Sequence, residues 1–127
     1  MIKDKEYIVY QGSEYIIEWY FDQKGISESF NYYQKLDKAR RIQLLKLVKR
    51  LGDIGKIYNK ELFRYEGEKI FAFKPKPDRY LCFFYRGKKV IITNAFTKKS
   101  QKIPMEEKAI KAMNDYQRRV EEGGYYG

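Results

Sequence analysis

Lys74, Arg79 and Lys98 stand in the most basic stretch of this sequence. From Lys74 to Lys102 there are nine Lys or Arg residues against one acid, Asp78, so the stretch carries +8 of the formal +10. A guanidinium can grip two phosphate oxygens at once, whereas an ammonium acts as a compact point charge. A lysine among other cations also loses proton affinity, so Lys74 or Lys98 could move a proton as well as neutralise charge. Phe96 and Tyr80 add aromatic faces suited to stacking on a base. These residue types fit a phosphodiester whose negative charge grows in the transition state. RNA supplies its own nucleophile, the 2′-hydroxyl, so the protein need only align the groups and stabilise the phosphorane. Arg79 is the leading candidate for that stabiliser, with Lys74 and Lys98 assisting.

Other chemistries find no residues here. The sequence has no histidine, which removes the usual proton-transfer group near neutral pH and the commonest transition-metal ligand. There is no glycine-rich phosphate loop, no nucleophile elbow and no tight carboxylate cluster of the two-metal kind. Neither a cofactor nor a metal is expected. The single cysteine, Cys82, lies within an apolar run and reads as a small buried hydrophobe, which excludes an intrachain disulfide and suits a reducing, cytoplasmic setting. No run approaches the ~20 apolar residues that cross a bilayer, and the N-terminus lacks a signal-peptide core. A pI near 9.5 points to a polyanionic partner, nucleic acid or an acidic protein.

The elements that would position the cations are legible as apolar runs. Ile70 to Phe73, Tyr80 to Tyr85 and Val90 to Phe96 are rich in aromatic and β-branched residues and predict an antiparallel meander. A two-residue Gly87-Lys88 turn would pair Arg86 with Lys89 and therefore Arg79 with Phe96. A Pro75 to Asp78 loop would set Lys74 opposite Arg79. That register gathers Lys74, Arg79 and Phe96 in one row, with Lys98 on the same side and Lys76, Lys99 and Lys102 in adjoining loops.

Upstream, Tyr15 to Phe21 predicts a strand, and Tyr7 to Tyr10 either pairs with it or lies as an extension. Ser27 is placed to cap a helix through Leu36, and Asp37 to cap a second, Lys38 to Leu51, ending at Gly52. The basic residues of that second helix, Arg40 and Arg41 among them, read as a solvated face. Leu62 to Tyr65 adds a strand, and Pro104 suits the first turn of a final helix, Met105 to Glu121. Residues 122–127 read as a frayed, flexible tail, Asp78 as a turn former, and residues 1–127 as a single domain with 1–13 as an N-terminal extension.

FKPKPDRYLCFFY, the following strand ending NAFTKKSQKIP, and a last helix carrying Ala109 and Ala112 together resemble the HigB branch of the RelE/ParE toxin superfamily and phage-derived proteins related to it. The resemblance covers Glu14 to Arg119. It implies an α+β, RelE-like fold: an antiparallel sheet of four to five strands with two N-terminal helices packed on it and a C-terminal helix. It further implies the toxin of a type II toxin–antitoxin pair, an endoribonuclease (mRNA interferase) that cuts mRNA on the ribosome and is neutralised by a HigA-like antitoxin with a helix-turn-helix domain. The family's basic positions fall on Arg79, Lys74, Lys98 and Lys99, and more loosely on Arg64. Arg79, Lys74 and Lys98 make the expected catalytic set, and Arg64, Lys76, Phe96, Lys99 and Lys102 the expected RNA-binding set. Two alternatives remain: the gyrase-binding mode of the ParE branch, which cleaves no RNA, and a catalytically silent phage or regulatory binding protein.

Overall fold

The computed structural model describes residues 6–99 and 101–127. Ser100, part of the KKS motif, and the first five residues of the extension lie outside it. Two short strands, β1 (Ile8–Gln11) and β2 (Ile16–Trp19), lead into helices α1 (Glu28–Gln34) and α2 (Lys38–Ile54). Strands β3 (Phe63–Gly67), β4 (Ile70–Phe73), β5 (Asp78–Tyr85) and β6 (Lys89–Thr97) follow, and helix α3 (Lys102–Glu121) closes the order.

The expected RelE-like sheet of four to five antiparallel strands is not what forms. Among the described residues the sheet has six strands in the order β1-β2-β6-β5-β4-β3, and it is mixed, because β2 runs parallel to β6. The cause is the β1–β2 hairpin. Of the two readings of Tyr7 to Tyr10, the hairpin with β2 is the one that forms, and β6 then runs along the other edge of β2. Nor do the helices form the expected layer. Leu44, Leu47, Val48 and Leu51 of α2 pack with Trp19, Phe73, Tyr80 and Cys82 on one face. Ala109, Ala112, Met113 and Tyr116 of α3 pack with Ile70, Ala72, Leu81, Phe83 and Phe96 on the other. Each fully buried Leu or Phe side chain contributes roughly 1.5–3 kcal/mol. Strands covered on both faces read as near-continuous apolar runs, as β4 to β6 do.

Local signals explain the helix ends. The Ser27 side chain accepts from the Phe30 N–H, and the Asp37 carboxylate accepts from the Arg40 N–H at 2.9 Å, so both expected caps form. Gly52 does not end α2, which runs on to Gly55 at φ 87°. Its role is close approach: the Gly52 carbonyl accepts from the N–H groups of Glu14 and Tyr15 at 2.8 and 3.0 Å, and a Cβ on Gly12 would lie 2.2 Å from Gly52 backbone. Residues 122–127, expected to fray, are tied down. Tyr125 is buried, and its hydroxyl accepts from the Phe21 N–H at 2.9 Å.

The β5–β6 hairpin corrects one expectation and meets another. Tyr85 pairs with Lys89, so the turn has three residues, with Arg86 and Gly87 both at positive φ. This offsets the pairing by one residue near the turn. A bulge between the Cys82–Ile92 and Leu81–Asn94 pairs takes up the offset, with the Thr93 hydroxyl donating to the Leu81 carbonyl. Beyond it Arg79 faces Phe96, as the sequence predicts.

Candidate nucleic-acid interface

Strand β5 begins with two charged neighbours that point to opposite faces of the sheet. Asp78 turns toward α1 and α2 and is almost fully buried. Its carboxylate accepts from Arg40 Nε at 3.0 Å and from Arg40 Nη2 in a close ion pair, and it takes the Tyr32 hydroxyl at 2.5 Å. Burial, and then the bond to Asp78, push the Tyr32 pKa upward, so its hydroxyl remains a donor. The hydrogen bond to Asp78 likewise strengthens the hold of Arg40 on its proton. Asp78 is therefore a buried anchor rather than a turn former, and Arg40 leaves the solvated helix face to reach it.

With Asp78 held on one side, Arg79 emerges on the side covered by α3. The Phe73–Tyr80 pair extends to place Lys74 beside Arg79. Arg64 pairs with Ala72, a residue of the α3-side core, so it shares that face. Lys74 is buried, and its Nζ donates to the Lys60 carbonyl at 3.5 Å. Its pKa is lowered, first by burial and then by the charges of Arg64 and Arg79, against the opposing pull of Glu66 and Glu61. Arg79 is half-buried, and among the described residues no carboxylate pairs with it.

Against this geometry stands one match to a known family. The family model described as Phage derived protein Gp49-like (DUF891) matches residues 31–116. The chain belongs to this family. The match runs from α1 into α3 and takes in Arg64, Lys74, Arg79, Lys98, Lys99 and Lys102. No curated protein matches the sequence significantly.

In the Gp49-like chain the remaining expected residues divide. Lys76, Lys98 and Lys99 are exposed at the same end of the sheet. The Lys98 N–H donates to the Pro77 carbonyl at 2.9 Å and so ties the β4–β5 turn to the end of β6. Lys102 belongs to the first turn of α3, which starts three residues before the expected Met105. Its Nζ lies 3.0 Å from Glu66 and 3.8 Å from Glu106. Phe96 is buried beneath α3, and Tyr80 is enclosed on the opposite face. Neither offers a ring to a base, which corrects the stacking expected of them.

Glu66 is the residue the sequence reading missed. Its side chain is only 3% exposed and lies 3.3 Å from Arg64 and 3.0 Å from Lys102. It braces two cations from β3 and α3 around the cluster. The only available signal was the Arg64-x-Glu66 spacing, which puts both on one face of a strand. A wider cleft of about 840 Å³ between α1 and α3 mixes Lys35, Lys108 and Lys111 with Asp22, Glu28 and Asp115, so no single charge converges there. No helix among the described residues is long and apolar enough to cross a membrane.

Proposed function

We propose that this Gp49-like protein is the toxin of a toxin–antitoxin pair and acts as a metal-independent endoribonuclease on mRNA. One observation carries the reading: Arg79 has no carboxylate partner among the described residues and stands beside Lys74, a lysine with weakened proton affinity. Membership of a family related to the RelE-type toxins supports it. Arg79 would hold the two non-bridging oxygens of the scissile phosphate and stabilise the charge that builds on them. Lys74, in its uncharged form, would take the 2′-hydroxyl proton as that oxygen bonds to phosphorus. The bond to the 5′-oxygen then breaks, and that oxygen takes a proton from solvent water, to which Lys74 returns the one it accepted. The products are a 2′,3′-cyclic phosphate and a 5′-hydroxyl. Exposed Lys76, Lys98 and Lys99 would guide the flanking phosphates. The free cationic surface also suits an acidic segment of a HigA-like antitoxin, which would compete with RNA for the same charges.

The test is primer extension on mRNA from a reconstituted translation reaction, with wild type, Arg79→Ala and a ribosome-free control. Cuts inside the reading frame that need ribosomes and fall by about a hundred-fold or more in Arg79→Ala are expected. The variant should keep its melting temperature, because Arg79 has no ion pair among the described residues to lose. No cleavage by folded wild type sinks the reading and leaves the gyrase-binding mode to be assayed.

A further inference from the structure

Behind the edge strand β3, on the face opposite the cationic cluster, lies a groove of about 600 Å³ between the end of α2 and the sheet. Its wall is aromatic. Phe63 and Phe71 stack with their rings 8° from parallel, and Phe84 meets Phe71 edge-on at 5.0 Å. Tyr65, 55% exposed, packs 5.0 Å from Phe71, and Tyr58 stands 83% exposed at the rim. Lys56 and Lys60 line the groove as cations, and Arg64 reaches its edge from the other face of β3, where its guanidinium lies 3.3 Å from Glu66. Open aromatic rings edged by positive charge, with no carboxylate among the lining residues, match the general chemistry of single-stranded nucleic-acid binding: bases stack, and phosphates follow the charges.

Two residues make this groove continuous with the candidate phosphate site. Lys60 lines the groove and gives its carbonyl to Lys74 Nζ. Arg64 borders it, and its charge acts on Lys74. A strand leaving Arg79 and Lys74 thus meets Lys60 and Arg64 next and the exposed tyrosines beyond them. An acidic peptide could satisfy the same cations, but the shared residues favour the polymer already held at the cluster. We infer that the groove is a second subsite for single-stranded RNA, which stacks nucleotides flanking the scissile phosphate on Tyr58 and Tyr65 and sets their phosphates against Lys56 and Lys60. This rests on the endoribonuclease reading above.

The test uses the full chain and an RNA dodecamer that is 2′-O-methylated, so that it cannot be cut, and carries 5-iodouridine, which photocrosslinks to nearby aromatic rings. Binding is read by fluorescence anisotropy for wild type, Tyr58→Ala/Tyr65→Ala and Tyr58→Phe/Tyr65→Phe, alongside cleavage by wild type. The alanine pair is expected to bind the dodecamer roughly ten-fold more weakly or worse. The phenylalanine pair should bind as wild type does, and crosslinks should map to Tyr58 or Tyr65. A trinucleotide, too short to span both sites, should bind equally to all three. If wild type cuts RNA but the alanine pair binds the dodecamer unchanged, or crosslinks fall wholly outside the groove, the inference is overturned and the groove is left to an acidic protein partner. If wild type neither binds nor cuts RNA, the endoribonuclease reading itself has failed, and this inference falls with it.

Discussion

At the scale of single residues, the pair Asp78-Arg79 sets a buried structural anchor beside the proposed phosphate-binding residue, across one peptide bond. Removing the anchor should cost folding rather than catalysis alone. Asp78→Asn gives up a buried ion pair with Arg40, and because the Arg40 side chain is about a third exposed and can rehydrate, the loss should fall near the low end for such pairs, about 3 kcal/mol by urea unfolding. Lys74 makes a different kind of prediction. Burial and two cations lower its pKa, so a rate that needs it uncharged should rise with pH and level off below the ~10.4 of an ordinary lysine. Arg64→Met removes one of those cations and should move the midpoint of the pH–rate profile upward. Glu66→Gln removes an opposing carboxylate and should move it downward. Lys74→Arg should abolish the limb. A midpoint that ignores all three changes would rule Lys74 out as the proton acceptor. Of these residues, Arg79 and Lys74 could be read from the sequence, because their types suit phosphate and a local register sets them side by side. Asp78 could not, since its partner Arg40 lies 38 residues away.

At the scale of elements, local signals were legible and long-range ones were not. The caps at Ser27 and Asp37 act within three residues of themselves and formed as expected. The pairing of Arg79 with Phe96 was also anticipated, although through the wrong turn: the extra turn residue shifts the register and the bulge at Thr93 shifts it back. Gly52 was misread because its signal is a contact with the Gly12 turn, and helix C-caps are the commoner use of glycine. That contact yields a test. Gly12→Ala would drive a Cβ into Gly52 backbone, whereas Gly52→Ala meets the movable ring of Tyr10 at 2.8 Å. Gly12→Ala should therefore destabilise more, by about 1–3 kcal/mol, measured by thermal unfolding of both variants. Which helix covers which face was hidden, because strands apolar on both sides do not declare one.

For the whole molecule, the formal net charge is +10, and Lys74, Lys76, Arg79, Lys98 and Lys99 gather at one end of the sheet, while carboxylates such as Asp78 and Glu18 hold helices and tail in place. RNA affinity should therefore fall steeply with salt. The log–log slope should lose about 0.7 in magnitude when Arg64→Gln removes one phosphate contact, as measured by anisotropy over a salt series. A slope the same in both proteins would remove Arg64 from the RNA contacts.

The parallel pairing of β2 with β6 also sets a clock on synthesis. Residues 16–19 leave the ribosome early, yet the strand they join, residues 89–92, arrives only after both helices and the rest of the meander. Contacts between segments so far apart are slow to close, and here they cannot close before most of the chain exists. A nascent copy still being translated has Arg79 in its sequence but no sheet to aim it. On the proposed toxin reading, the cluster is complete only once residues 89–102 have followed, which gives an antitoxin an interval before the toxin can act.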